Sequence, residues 1–352
     1  MRRLPFVLLI CLPVLVAAGG QAREPELLFT IADEEAITAA WAPDSTRIAY
    51  ALYREIQVRE KKYRRDELWV ADLAGKKKRL IEPGELWPPR APGGYSINGI
   101  SWSPDGTKLA VEATSSEGET VFFLFDERGK RVRIGEGAPF APGYFAAWLG
   151  DNESVAYLTE ALKPRLLFAV DLVRPRAGTG RRLFEGRFFS AAAWQPHGMK
   201  AALVERDREF QQPPRLLIGD LSNGEVLSTV ELKDGFAGGL RFASDGHRVA
   251  YFVKQRELEV RAVADPSQSQ RVRLPLSRYE FSPDGSALFY LEPERPATRS
   301  GRLTRLEVSS GNSERLLGER VLDNFSISAD GKFLATIEGE LRPVLKVYRL
   351  LP

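Results

Sequence analysis

Side chains able to do chemistry are sparse in this chain. Of 352 residues, two are histidine and one is cysteine, which excludes zinc fingers, disulfide scaffolds and histidine-rich metal centres. His197 and His247 could form a metal or acid–base pair, but each stands in a hairpin-turn motif, and turn residues are the preferred reading. The sequence has no G-x-S-x-G elbow, H-E-x-x-H helix, P-loop, dinucleotide fingerprint or EF-hand loop. Carboxylates are abundant, and a glycosidase-like pair could meet in space, yet those recurring at fixed intervals sit where a turn needs them. No catalytic residue, metal ligand or cofactor is therefore assigned. Lysine plus arginine number 50 and aspartate plus glutamate 47, for a formal net charge of +3, far from the basic excess of a nucleic-acid binder. A hydrophobic share of 43% suits a folded globular chain rather than a disordered or multi-span one.

The first residues read as an address. Arg2 and Arg3 precede an uncharged apolar run, Leu4 to Ala18, and the small residues Gly19, Gly20 and Ala22 follow. This is the layout of a secretory signal peptide, with cleavage after Ala22 or Ala18. Fifteen helical residues span about 22 Å, short of the roughly 30 Å hydrocarbon core. Cys11 lies inside the run behind bulky Ile10, so it is read as part of the signal rather than as a lipid attachment point. The expected division is a signal peptide over 1–22 and a single domain over 23–352, periplasmic or secreted and not membrane-spanning once cleaved.

The elements that must position any site come from a repeat. An aromatic residue, a spacer, proline, aspartate and glycine precede a short apolar strand at Trp41-Ala-Pro-Asp44-Ser45, Trp102-Ser-Pro-Asp105-Gly106 and Trp148-Leu-Gly-Asp151-Asn152. The pattern continues at Trp194-Gln-Pro-His197-Gly198, Phe242-Ala-Ser-Asp245-Gly246, Phe281-Ser-Pro-Asp284-Gly285 and Ile327-Ser-Ala-Asp330-Gly331. Five residues after the acidic position stand Ala49, Ala110, Ala156, Ala202, Ala250, Phe289 and Ala335. Proline presets a type I turn, aspartate bonds the backbone two residues on, and glycine tolerates the left-handed conformation that closes a hairpin. Ser45 is the poorest residue for that last position. The aromatic is a packing anchor, and the alanine marks where a neighbouring sheet comes too close for a larger side chain. No long 3.6-residue period occurs, so almost no helix is expected. Four short strands per repeat, as in Ala36–Trp41, Arg47–Leu52, 67–73 and 78–81 of the first, predict an all-β, seven-bladed β-propeller of four-stranded antiparallel blades. The last repeat lacks a fourth strand, and the spare Glu26–Ile31 is expected to close the ring. The 61-residue first interval and 39-residue fifth interval leave a six-bladed merger open.

The Trp/Phe-Ser-Pro-Asp-Gly signature with its following strand resembles the WD-like repeat of the TolB propeller, with related repeats in the propeller domains of the prolyl oligopeptidase family. The resemblance covers residues 26–352. It implies export to the periplasm and binding of protein partners, in TolB notably a peptidoglycan-associated lipoprotein. The TolB α/β domain that precedes its propeller has no counterpart here, so no contact depending on that domain is carried over.

In an up-and-down blade the first and third turns emerge on one face; the second turn and the connections between blades emerge on the other. The longer segments fall on the second face. They include 55–66 with its basic run Lys61-Lys62-Tyr63-Arg64-Arg65, and 83–95, rich in proline and glycine. Aromatic and arginine residues, the usual anchors of protein interfaces, recur there. The expected partner-binding residues are Trp87, Arg90, Tyr95, Phe140, Tyr144, Arg187 and Phe188. The sequence thus points to an exported, non-catalytic module that binds or scaffolds an envelope protein. The alternatives are a propeller lyase or hydrolase acting on a sugar, lactone or peptide, and a small-ligand sensor with its site in the tunnel.

Overall fold

The computed structural model describes residues 24–32, 35–58, 60–64, 66–81, 95–115, 118–134, 141–162, 167–175, 179–275, 278–293, 300–339 and 342–351. The signal-peptide reading, Cys11 included, lies outside these residues. Strands and turns make up the described chain, with no helix among the described residues. Expected strands recur with the same bounds at Glu26–Ile31, Ala36–Trp41 and Arg47–Leu52.

The sheets form a β-propeller, but its blade count corrects the sequence expectation. Counted as hydrogen-bonded sheets, the propeller has five blades, not seven separate four-stranded ones: the sheets hold seven, five, eight, four and four strands. A sixth, two-stranded sheet is the hairpin of Glu55–Val58 and Lys61–Arg64. The physical reason is strand continuity. Ser313–Ile327 runs unbroken from the outer edge of one repeat into the inner strand of the next. Phe168 likewise pairs with Phe189 across a repeat boundary. Backbone pairing at those two places joins what turn spacing alone divides.

The closing strand is where the repeat arithmetic put it. Glu26–Ile31 pairs antiparallel with Val344–Arg349, from Glu26 opposite Arg349 to Ile31 opposite Leu345. An edge that would otherwise stand open is covered. Apolar side chains of the first and last repeats pack into one cluster, with Ile31, Trp41 and Tyr50 against Ala335, Ile337 and Val347. The other clusters also form between neighbouring repeats, such as Ala49 and Leu68 with Trp102 and Phe123, or Ala250 and Phe252 with Tyr279 and Phe281. The core is therefore distributed around the ring rather than gathered at one centre.

Two sets of polar contacts lock repeat to repeat. The tryptophan anchors donate their indole N–H to the backbone of the preceding repeat: Trp102 to Ala40 O at 3.0 Å, Trp148 to Ser101 O at 3.2 Å, and Trp41 to Ser326 O at 3.1 Å across the closure. A buried indole needs such a partner. The second set lies in the Pro-Asp-Gly turns. Asp44, Asp105, Asp151, Asp245, Asp284 and Asp330 each accept the N–H two residues on, at 2.8–3.1 Å. Where the signature has serine, the hydroxyl donates to the aspartate and accepts the first N–H of the next strand, as Ser282 does with Asp284 at 2.6 Å and Ala287 at 2.9 Å. A basic residue three past the aspartate then reaches the turn of the following repeat: Arg47 to Gly106 O at 3.1 Å, Lys108 to Asn152 O at 3.1 Å, and Arg248 to Gly285 O.

Candidate functional site: a cleft on the loop face

Chain direction separates two rims. The Pro-Asp-Gly turns sit on one, committed to the contacts above, and the longer connections emerge on the other. There, a cleft of about 500 Å³ opens between two of those connections. One connection, residues 184–188, leads from strand Thr179–Leu183 into Phe189–Trp194; the other, 206–214, leads from Lys200–Glu205 into Arg215–Asp220. Lys200–Glu205 pairs with both neighbours, Phe189–Trp194 and Arg215–Asp220, so both connections leave the same end of the sheet. The Arg206 N–H donates to Phe188 O at 3.2 Å and ties them together.

Charge in the cleft is partly neutralised internally. Glu205 is buried and takes two guanidinium groups, Arg187 Nη1 on Oε1 at 2.7 Å and Arg215 Nη2 on Oε2 at 2.5 Å. A buried carboxylate needs this compensation. Arg208 lies over the Phe188 ring at 4.7 Å and Arg206 over Phe210 at 5.8 Å, geometry in which the ring face attracts the cation. Asp207 accepts the Gln211 N–H on Oδ2 at 3.2 Å. Two buried polar atoms at the base of this loop have no hydrogen-bond partner among the described residues, the donor Arg206 Nε and the acceptor Asp207 Oδ1. Such groups are rare and costly, and each calls for an explanation.

Backbone strain also collects here. Five described non-glycine residues have a positive φ. Ser45, Asn152 and His197 occupy repeat turns; the other two are Phe184 (φ 51°) and Phe210 (φ 56°), one in each connection framing the cleft. Bulky residues rarely adopt this conformation, and it costs on the order of 1–2 kcal/mol. Phe184 is buried edge-on against Phe189, with centroids 5.9 Å apart. It fits because residue 219 is glycine: a Cβ there would stand 2.5 Å from the Phe184 ring. Phe210, by contrast, is 41% exposed and is not among the residues that line the cleft.

Of the expected partner-binding residues, Arg187 and Phe188 line this cleft. Tyr95 does not reach an open surface. It is 4% exposed and packs edge-on against Phe123 at 5.6 Å. Tyr144 is half-buried, edge-on to Phe168 at 5.6 Å, and does not line the cleft. Trp87, Arg90 and Phe140 lie outside the described residues. Sequence reading passed over Arg206, Arg208, Phe210 and Arg215. The available signal was the alternating-charge stretch Glu205-Arg-Asp-Arg-Glu-Phe210 before Gln-Gln-Pro-Pro, too polar for a strand and long for a hairpin turn. His197 and His247 stand in their hairpin turns. Among the described residues no three or more His, Cys, Asp and Glu side chains cluster to hold a metal ion. None of the described segments is a helix long and apolar enough to cross a membrane.

No family model matches this chain, and no curated protein matches it in sequence. Solved structures do match in fold. A chain of a mitotic checkpoint complex superposes with a TM-score of 0.60 at 16% identity, over 100% of this chain and 99% of that one. The β-propeller domain of Cps50 (Swd1) from Myceliophteria thermophila gives 0.62 at 14% identity, over 93% and 100%. The Dos1 propeller gives 0.59 at 10%, over 93% and 95%. At these identities the likeness shows the fold alone, a β-propeller, and a fold does not by itself fix a function.

Proposed function

We propose that this chain is an exported, non-catalytic protein-interaction module of the cell envelope, related to TolB-type propellers, whose partner docks on the loop face at the 184–188 and 206–214 connections. The observation that carries the reading is the division of labour between the rims. On the turn rim, the repeat aspartates and the bases beside them are spent on turn closure and on neighbouring turns. On the loop rim, arginine and aromatic side chains surround a cleft whose lining includes buried polar atoms without partners among the described residues. Arginine and aromatic residues are the usual anchors of protein interfaces, and loops on a rigid scaffold are where binding concentrates. The signal-like N-terminus supports placement in the envelope. A photocrosslinking residue substituted at Phe188 in the full chain, expressed in the producing cells, should trap a discrete protein, while one at Glu153 on the turn rim should not. No adduct from position 188, or equal adducts from both, would refute the docking face.

A further inference from the structure

Resting on that protein-binding reading, we infer that the partner adds a β-strand, apolar at its centre and basic at both ends, to the open edge of Val226–Glu231. Among the described residues this strand ends its sheet and pairs with Arg215–Asp220 alone. The Leu232 N–H donates to Pro214 O at 2.9 Å and sets the alternation of an antiparallel ladder. Val230 and Ser228 therefore bond inward, opposite Leu216 and Ile218, and the N–H and C=O of Thr229 and Glu231 face outward. No described residue bonds those outward groups. An edge in this state is a template for a further strand. Two or three bases guard the outer strands Lys77–Ile81, Thr179–Leu183 and Ser269–Arg273, a usual device against edge pairing; Val226–Glu231 has none. Its side chains alternate half-buried and exposed, and Leu227 stands 47% exposed, so apolar or β-branched residues suit the centre of the added strand. Glu225 and Glu231 mark its two ends, and no lysine or arginine lies within 223–231. Arg215, opposite Glu231 in register, is bonded to Glu205. Like charge disfavours a second copy of this edge, and opposite charge favours bases on the incoming strand. The edge also continues the docking face, because Glu231 lines the cleft. Glu26–Ile31 lacks a base too, but it does not border the cleft, and Glu26 is paired with Arg349.

The test uses the purified full chain and a fluorescent peptide, Lys-Val-Thr-Val-Thr-Val-Lys. One comparator has glutamate at both ends; the other is methylated at every internal backbone nitrogen and cannot donate to an edge. The lysine-ended peptide is expected to bind, and each comparator should bind at least about tenfold more weakly. Thr229→Pro removes an outward N–H and no inward ladder bond, a position where an edge strand accepts proline. It should weaken the peptide by about tenfold or more with the melting temperature kept. Leu227→Lys supplies the guard that other outer strands have and should weaken the peptide similarly, which tests the edge without a proline. In the producing cells, a photocrosslinking residue at Thr229 should trap the same protein as one at Phe188. No peptide binding, equal binding of either comparator, binding unchanged in Leu227→Lys or in folded Thr229→Pro, or a different adduct at 229 would each overturn the inference. So would a concentration-dependent dimer that Leu227→Lys dissolves, which gives the edge to a second copy. If position 188 still traps a protein, only the strand addition falls; if it does not, the docking face falls with it.

Discussion

Ser45 and Asn152 stand where the turn signature prefers glycine, and both pay the left-handed cost, with φ of 58° and 57°. Their side chains explain why. Asn152 Oδ1 accepts the Asp105 N–H at 2.9 Å, and Ser45 Oγ accepts the Asp330 N–H at 3.1 Å. Each exception ties its turn to that of the preceding repeat, and for Ser45 that repeat is the last in the chain. Ser45→Ala keeps the strain and loses the bond, so it should lower stability by about 1 kcal/mol. Ser45→Gly loses the bond but relaxes the strain and should cost less, close to zero. Chemical denaturation of the two variants distinguishes this from a purely conformational role, which would make glycine clearly stabilising and alanine neutral. Among the described residues His197 makes no such bond to a neighbouring turn. Its positive φ of 57° follows Pro196, the arrangement of a type II turn, so this repeat closes its hairpin differently from its neighbours.

Alanine recurs on the second strand of nearly every repeat because the next repeat's aromatic anchor arrives there. Ala250 is fully buried in the cluster containing Tyr279 and Phe281, and the Tyr279 hydroxyl donates to Ala250 O at 2.7 Å. Burial pushes the Tyr279 phenol far above its ordinary range, so it stays a neutral donor. Ala250→Leu has no space to fill and should destabilise by about 1–3 kcal/mol through overpacking, read as a lower urea midpoint. Phe289, the exception at this position, sits in a different cluster with Leu317 and Phe325, beside the long strand Ser313–Ile327. The basic run, whose preferred sequence reading is a solvated hairpin, does form one: Glu55–Val58 pairs with Lys61–Arg64, pinned at its base. Arg64 pairs with Asp66 through two 2.9 Å bonds, and the buried Asp66 also accepts the Ile97 N–H at 2.8 Å.

Around the whole ring, pH acts on two sets of carboxylates with opposite sign. The Ser282 hydroxyl and Ser286 N–H hold the Asp284 carboxyl below its ordinary 3.8. At Asp105 burial works upward but the Ser103 hydroxyl and Thr107 N–H outweigh it, and the shift is again downward. For such groups the unfolded chain binds more protons, so their contribution is complete above about pH 4 and is lost as pH falls through the folded values. Glu112 behaves the other way. Burial lifts its carboxyl from 4.5 to about 7, against the one N–H it accepts, from Phe145 at 3.1 Å. Here the folded state holds the proton, and stability is lost as pH rises from about 4.5 to about 7. Glu112→Gln should therefore stabilise at pH 8 by on the order of 2 kcal/mol, with the gain vanishing near pH 4. Thermal melts of both proteins across that range check the sign.

The local signals in this chain were legible before folding. Turn chemistry at the Pro-Asp-Gly motifs, strand bounds such as Ala36–Trp41 and Arg47–Leu52, and the spare strand Glu26–Ile31 all rest on neighbours a few residues away or on a repeat count. Arg187 and Phe188 could be placed on the loop rim because strand alternation alone decides which turns share an end. The blade division could not be read this way: the pairing of Phe168 with Phe189 and the unbroken course of Ser313–Ile327 are backbone choices between repeats. Nor could the cleft. Arg206 and Arg208 follow a strand in an unremarkable charged stretch, and they acquire meaning when residues 184–188 fold across from them. Tyr95 shows the same limit in reverse, since its aromatic type suited an interface but packing turned the ring toward Phe123. Periodicity and turn propensity are properties of adjacent residues, whereas a site is a meeting of segments, and only burial and register determine which segments meet.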